Sequence, residues 1–283
     1  MRLARFDAGS GPGTGVIHGD AVISLGAAGF PVTGMLEIIT GGAALLERLN
    51  AVVEKTSPHH ALNEVRLLAP LRPGKYLAIG MNYKNHVSEA ERLGVKKPTK
   101  QFWFNKQTTC ISGPYDVIDP GVSEELDYEI ELGVVIGRAA KAVRGHEASS
   151  HIFGYVVAND VSARDWQFHS PTFTMGKSFD THGPIGPWIV TADEIADAQN
   201  LNLRCLVNGE LRQSSNTSQM IYSVAEQIEY LSTAFTLESG DLIATGTPEG
   251  VGIAMNPRRF LRGGDLVRCE IDGIGVIENC VAA

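Results

Sequence analysis

The sequence is poor in several things, and each shortage excludes something. Cysteine is scarce: four residues (Cys110, Cys205, Cys269 and Cys280) among 283, with no CxxC spacing. They read as reduced, partly buried thiols of a cytoplasmic protein, with pairing between them left open. No run of about 18 apolar residues occurs, so no segment is expected to span a membrane. The opening residues, MRLARFDAGSGPG, lack an apolar stretch and do not read as a secretory signal. Basic residues are outnumbered, 24 against 32 acidic, for a formal net charge of −8. Nucleic-acid binding needs a concentrated Lys/Arg face and is not expected. The one short basic cluster, Lys96-Lys97 with Lys100, sits beside Pro98 and reads as a solvated loop. An acidic total still allows an anionic small-molecule substrate, because such a ligand responds to local charge. Aromatic residues are only 7%, and no internal repeat or low-complexity segment is apparent.

Glycine is what the chain has in excess, 31 of 283 residues against roughly 7% in average usage. With 13 prolines this points to many tight turns between short strands, a mostly β α+β protein rather than a helical bundle. The length calls for one large or two unequal domains, and the pattern places a small α+β unit over residues 1–72 and a larger one over 73–283. In the first unit Arg2–Phe6 and Gly15–Leu25 read as strands, the second folding back at His18-Gly19-Asp20. Met35–Val53 has helical spacing interrupted by Gly41-Gly42. In the second unit Tyr76–Gly80 reads as a strand and Asn82–Leu93 as a helix ended by Gly94. Phe102–Phe104 and Tyr115–Ile118 read as short extended pieces. Leu126–Ile136, His151–Ala158, Trp188–Thr191, Leu203–Val207, Leu242–Ala244, Leu266–Ile271 and Gly275–Asn279 read as strands, and Ser218–Tyr230 as a helix. Asn208-Gly209 is the strongest hairpin signal, and Asp272-Gly273 joins the last two strands.

The segment Leu126-Asp127-Tyr128-Glu129-Ile130-Glu131-Leu132 alternates with period two, placing Asp127, Glu129 and Glu131 on one face. An ordinary strand with its acidic face in water explains such alternation. Two features point elsewhere: stacked like charges repel, and the run Gly133-Val134-Val135-Ile136 implies burial, where an unpartnered carboxylate is costly. Glutamates at i and i+2 can converge on a hard cation such as Mg2+ or Mn2+. Asp160, ending the apolar strand Tyr155–Asn159, admits two compatible roles, third ligand or helix N-cap. Gly176-Lys177-Ser178 is not a phosphate loop, because position 171 is proline where that motif needs glycine; Lys177 is either solvated or faces a site. His86 and Glu89 share a helical face three residues apart, as a surface ion pair or as a base oriented by a carboxylate. Gly246-Thr247-Pro248-Glu249-Gly250-Val251-Gly252 offers backbone amides and a hydroxyl to an anion, or is a plain turn.

Taken in order, GMNYKNHVSE, LDYEIELGVVIGR, NDVSARDWQ with GKSFDTHGPIGPW, and GDLIATGTPEGVG make the chain resemble the fumarylacetoacetate hydrolase family over most of residues 75–280. The first 70 residues are similar to the small leading domain of longer prokaryotic-type members. The resemblance implies a mixed β-roll, β-sandwich-like catalytic domain, bound Mg2+ or Mn2+, and a homodimer. It implies Glu129, Glu131 and Asp160 as metal ligands; His86, Glu89 and Lys177 as catalytic groups; and Lys106, Arg164, Gln167 and Thr247 as substrate contacts. Met81 departs from the polar or basic residue many members carry there. The implied activity is a hydrolase that cleaves a C–C bond in 2,4-dioxo acids by way of a pyruvate enolate, its charge met by the cation and Lys177. The alternative is an isomerase of 2-hydroxydienoates or a decarboxylase of 2-oxo dioic acids. The substrate class is a small 2-oxo acid in either case.

Overall fold

The computed structural model describes residues 1–32 and 34–283. Its first strands are β1 (Arg2–Asp7), β2 (Pro12–His18), β3 (Ala21–Ser24), β4 (His60–Ala61), β5 (Arg66–Leu68), β6 (Tyr76–Gly80), β7 (Phe102–Lys106), β8 (Ile111–Ser112) and β9 (Leu126–Asp127). They are followed by β10 (Ile130–Ile136), β11 (Ile152–Asn159), β12 (Ser162–Ala163), β13 (Gly183–Thr191), β14 (Asn202–Val207), β15 (Glu210–Asn216), β16 (Leu242–Ala244), β17 (Leu266–Ile271) and β18 (Gly275–Cys280). The α-helices are α1 (Met35–Val53), α2 (Lys84–Arg92), α3 (Arg164–Gln167), α4 (Thr174–Lys177) and α5 (Val224–Ala234).

Twelve strands form one mixed, open sheet in the order β4-β3-β2-β1-β13-β11-β10-β16-β6-β7, with β5 beside β1 and β8 beside β13. β1 pairs with β13, Leu3 opposite Ile189, so the N-terminal strands continue the sheet that carries β10. A four-stranded sheet, β15-β14-β17-β18, packs with α5 on one face of the central strands, joining Leu132, Val134 and Val157 to Leu203, Val267 and Ile228. On the other face Val135, Val156 and Ala158 meet Ile38, Ile39 and Leu49 of α1. Burial on both faces explains the apolar run Leu132–Ile136 of β10, and each large side chain removed from water there contributes about 1.5–3 kcal/mol.

Several local expectations hold. Gly42 kinks α1, Asn208 and Gly209 both take positive φ in the β14–β15 turn, and Gly94 ends the α2 segment at φ +82°. Others are corrected. The fifth helix begins at Val224, not Ser218, because Ser223 and Glu226 form a capping box and the Ile221 amide is committed to the Asn82 carbonyl. Tyr115 lies in a turn, and of the expected extended piece only Ile118 pairs, as an isolated bridge to Val281. Leu126–Ile136 is two strands rather than one, and no acidic face is in water: Asp127, Glu129 and Glu131 are all buried. All four cysteines are free thiols, Cys205 and Cys269 facing each other across β14 and β17 at 3.9 Å.

Candidate metal centre

The interruption between β9 and β10 is what delivers the acidic residues. Across it the backbone amides find side chains instead of strand partners: Tyr128 N donates to Asp127 Oδ1, Glu129 N to Asn159 Oδ1 and Ile130 N to Gln213 Oε1. The neighbouring β11 ends at Asn159, and Asp160 N then donates to the Glu129 carbonyl at 2.9 Å. Asp160 therefore caps no helix; a two-residue strand, β12, follows it. Glu129, Glu131 and Asp160 converge, one ligand oxygen from each lying within 4.8 Å of the others.

Three cations meet these acids. The Lys177 ammonium bridges Glu129 Oε2 and Asp160 Oδ2, 2.7 Å to each. Lys106 Nζ donates to Asp160 Oδ1 at 2.5 Å and to the Val161 carbonyl. Arg164 donates from Nε to Asp127 Oδ2 (2.8 Å), from Nη2 to Glu129 Oε1 (2.6 Å) and from Nη1 to Gln167 Oε1 (2.9 Å). Lys177 reaches this place because Gly176 abuts α3: a Cβ there would fall 2.4 Å from Gln167 Cα. Four buried carboxylates, counting Asp127, thus face three buried cations, leaving one negative charge uncompensated.

That charge falls on Glu131, whose only hydrogen bond among the described residues is from Gly246 N at 2.7 Å. Gly246 makes that approach at φ +99°, a backbone state that favours glycine. Burial first, then Asp160 and Glu129, push the Glu131 carboxyl well above the usual range. Burial acts on Glu129 in the same sense, but Lys177 and Arg164 outweigh it and hold its carboxyl at about 2. For Lys177 burial favours loss of the proton, yet Asp160 and Glu129 raise its pKa, so it stays an ammonium. Three converging carboxylate oxygens, one of them on a group that no side-chain cation among the described residues meets, fit a hard divalent cation such as Mg2+ or Mn2+, which would take the place of the Glu131 proton.

Above this floor lies a cavity of about 310 Å3. It brings together His86, Glu89, Glu129, Glu131, Arg164, Gln167, Lys177 and Thr247. Asp160 and Lys106 are fully buried and not part of its wall: Asp160 joins through Lys177, and Lys106, expected at the substrate, reaches only Asp160 and a carbonyl. On α2, His86 Nδ1 lies 3.1 Å from Glu89 Oε2, and Glu89 Oε1 accepts from Gly250 N at 3.1 Å. The glycine-rich loop spends its amides on the protein's own acids, Gly246 on Glu131, Gly250 on Glu89 and Gly252 on Asp127. The Thr247 hydroxyl donates to the Ile130 carbonyl and accepts from Gln213 Nε2, each at 2.9 Å.

Residues 75–282 match the family described as fumarylacetoacetate (FAA) hydrolase C-terminal, and residues 1–70 match the one described as Rv2993c-like, N-terminal. The chain belongs to the fumarylacetoacetate hydrolase family. It is 44% identical over 291 residues to the mitochondrial oxaloacetate tautomerase FAHD2B of Bos taurus, covering 99% of this chain and 91% of that protein. Among solved structures it resembles maleylpyruvate hydrolase from Sphingobium sp. SYK-6, in complex with manganese(II) and pyruvate (TM-score 0.82, 32% identity, 100% and 99% of the chains covered). It also resembles 5-carboxymethyl-2-hydroxymuconate delta-isomerase from Mycobacterium smegmatis (TM-score 0.78, 35% identity, 100% and 98% covered). The fumarylacetoacetate hydrolase fold is thus the mostly-sheet α+β architecture of these neighbours, and no described helix is long and apolar enough to cross a membrane.

Within this family member, several residues that shape the site carry no local signal. Gln213 on β15 ties Ile130 N, Thr247 Oγ1 and the Pro248 carbonyl together, and Asn82 fixes the start of α2 to Thr245 and Tyr222. Phe102, Phe104, Phe168 and Phe173 line one side of the cavity, the buried Phe104 ring 5.2 Å from Lys177 Nζ. Only their bunching in two short segments, FWFNK and QFHSPTF, hints at a shared surface.

Proposed function

We propose that this protein is a divalent-metal-dependent enzyme that interconverts the keto and enol forms of a short 2-oxo acid, with oxaloacetate the first substrate to test. The observation that carries this reading is the buried Glu129–Glu131–Asp160 triad with the Lys177 ammonium set between two of its members. The 44% identity to an oxaloacetate tautomerase supports the choice of reaction. Glu129, Glu131 and Asp160 would hold the cation, which when bound supplies Lewis-acid polarisation of the 2-oxo group. Arg164 uses three of its five N–H donors within the protein, leaving one on each terminal nitrogen to orient a substrate carboxylate. Lys177, held protonated, presents positive charge where the enolate oxygen develops. With Nδ1–H donating to Glu89, His86 keeps Nε2 as an acceptor at the cavity wall, suited to taking a proton from C3 and returning it.

The same His86–Glu89 pair favours a second reading, hydrolysis of a 2,4-dioxo acid, in which Nε2 takes its proton from water. The likeness to maleylpyruvate hydrolase supports it. One assay separates the two. The decay of enol-oxaloacetate absorbance and the cleavage of maleylpyruvate are followed with Mg2+ or Mn2+, for the wild type and for Glu131→Gln. We expect faster keto–enol equilibration that Glu131→Gln lowers about 10²–10³-fold. Cleavage without equilibration would replace the tautomerase reading by the hydrolytic one, and activity undiminished in Glu131→Gln would sink the metal-centre assignment.

A further inference from the structure

A second cavity of about 260 Å3 is lined by Tyr128, by residues of the β14–β15 hairpin and by the segment 258–265, and shares none of the charged groups of the carboxylate floor. Four arginines, Arg212, Arg258, Arg259 and Arg262, line it against a single acid, Asp265. In a chain of formal net charge −8 this is a marked local concentration of positive charge. Most of it is unspent. Arg258 makes no hydrogen bond or ion pair among the described residues. The Arg212 side chain is 7% exposed, and its Nε is buried without a partner. Its terminal nitrogens lie 3.3 Å from Met255 Sδ and 3.4 Å from Glu210, and the side chain also neighbours the Tyr128 hydroxyl. Arg262 uses one terminal nitrogen, on the Glu124 carbonyl. Only Arg259 is fully paired, through two hydrogen bonds to Glu210 of 2.6 and 2.9 Å. The Asp265 carboxylate is already occupied, accepting from Asn208 Nδ2 and from Arg262 N at 2.8 Å each.

Leaving a guanidinium donor buried and unmatched is unfavourable, and clustering like charges around one hollow adds repulsion. Both are relieved by an anion entering from solution. We propose that this cavity is a second ligand site, for a compact multivalent oxyanion, either a phosphate group or clustered carboxylates. Guanidinium forks suit both chemistries, and the volume lies just below the roughly 300 Å3 at which pockets for drug-sized ligands begin. The site backs onto the glycine-rich loop. Tyr128, in its wall, donates to the Gly250 carbonyl at 3.0 Å, and the Arg212 carbonyl packs so close to Gly250 that a Cβ there would fall 2.1 Å from it.

The test is isothermal titration of the full-length protein at low, constant ionic strength, with inorganic phosphate and with tricarballylate as probes. Saturable binding of at least one is expected, and the tighter probe identifies the ligand as phosphate-bearing or polycarboxylate. The double variant Arg258→Glu, Arg262→Gln changes two exposed side chains and should weaken binding about tenfold or more. Glu210→Gln should move affinity the other way, because it releases Arg259 and Arg212 from a competing carboxylate. Saturable binding of neither probe overturns the proposal. So does binding that the double variant leaves unchanged, since the anion would then sit elsewhere.

Discussion

At the floor of the main cavity four buried carboxylates and three buried cations lock one another in place, whereas the mouth is walled by Phe102, Phe168 and Phe173, with His86, Glu89 and Lys96 as its polar groups. The floor is made by strand ends and two one-turn helices: one stretch, 127–131, supplies three of the acids, while Asp160, Lys106, Arg164 and Lys177 are brought to it by other segments. The mouth depends on α2 and on Phe173, which contacts Phe102, Phe104 and Phe168 at centroid distances of 5.1, 6.1 and 5.4 Å. Backbone strain also sits there: Met81 and Phe173 line the cavity with φ of 57° and 59°, unusual for residues with a Cβ. The contrast assigns different work to the two ends. Charge placement at the floor is held by the fold itself, while the mouth is free to vary in what it admits.

The largest effect should come from breaking the floor's pairing. Arg164→Met removes what is, among the described residues, the only side-chain cation on Asp127 and one of two on Glu129, leaving buried charge uncompensated. Loss of one partner of a buried pair typically costs about 3–5 kcal/mol. Urea unfolding of Arg164→Met should show a loss of that size. A loss below about 1 kcal/mol would mean that the floor is plastic, and the contrast with the mouth would fail.

How much of this was readable beforehand follows the same division. Glu129 and Glu131 are two residues apart in sequence, one just before β10 and one within it, so their convergence is a local fact that alternation displays. The kink at Gly41-Gly42 and the turn at Asn208-Gly209 are local in the same way. Asp127 looked equivalent to Glu129, because period-two spacing cannot register that the strand stops between them. It is Arg164, together with the Gly252 and Ile253 amides, that draws Asp127 away from the cation site. Gln213 lies more than 80 residues from Ile130 and works only through hydrogen bonds formed on folding. Lys106 follows a run of aromatics that suggests the cavity wall, yet its Nζ lies over the Tyr76 ring, 5.9 Å from the centroid, and donates to Asp160. The aromatic wall draws on β7 and on the segment between α3 and α4, which only the bunching of phenylalanines in each connects in the one-dimensional pattern.

A smaller effect is expected where mouth and floor meet. Glu89→Gln preserves an acceptor for Gly250 N but removes the carboxylate that orients His86. Carboxylates that orient a working histidine are worth about tenfold or more in comparable settings. Turnover should fall by about that factor with KM and unfolding midpoint unchanged, as steady-state kinetics and thermal melts would show. Unchanged turnover would remove the His86–Glu89 pair from the proton transfer and leave α2 a steric role.

The smallest change in stability, and the most informative about substrate, is expected at Phe168. Its side chain is 65% exposed and packs edge-on against Phe173, so truncation to alanine removes little buried surface. Stability should stay within about 0.5 kcal/mol of wild type. A compact substrate such as oxaloacetate, gripped by Arg164 and the floor, should not register the change. A 2-oxo acid with an apolar tail would lie along the aromatic wall, and Phe168→Ala should raise its KM a few-fold while leaving kcat alone, the signature of lost uniform binding. If both substrates lose equally in kcat, Phe168 acts through α4 on Lys177, and mouth and floor are one mechanical unit rather than two.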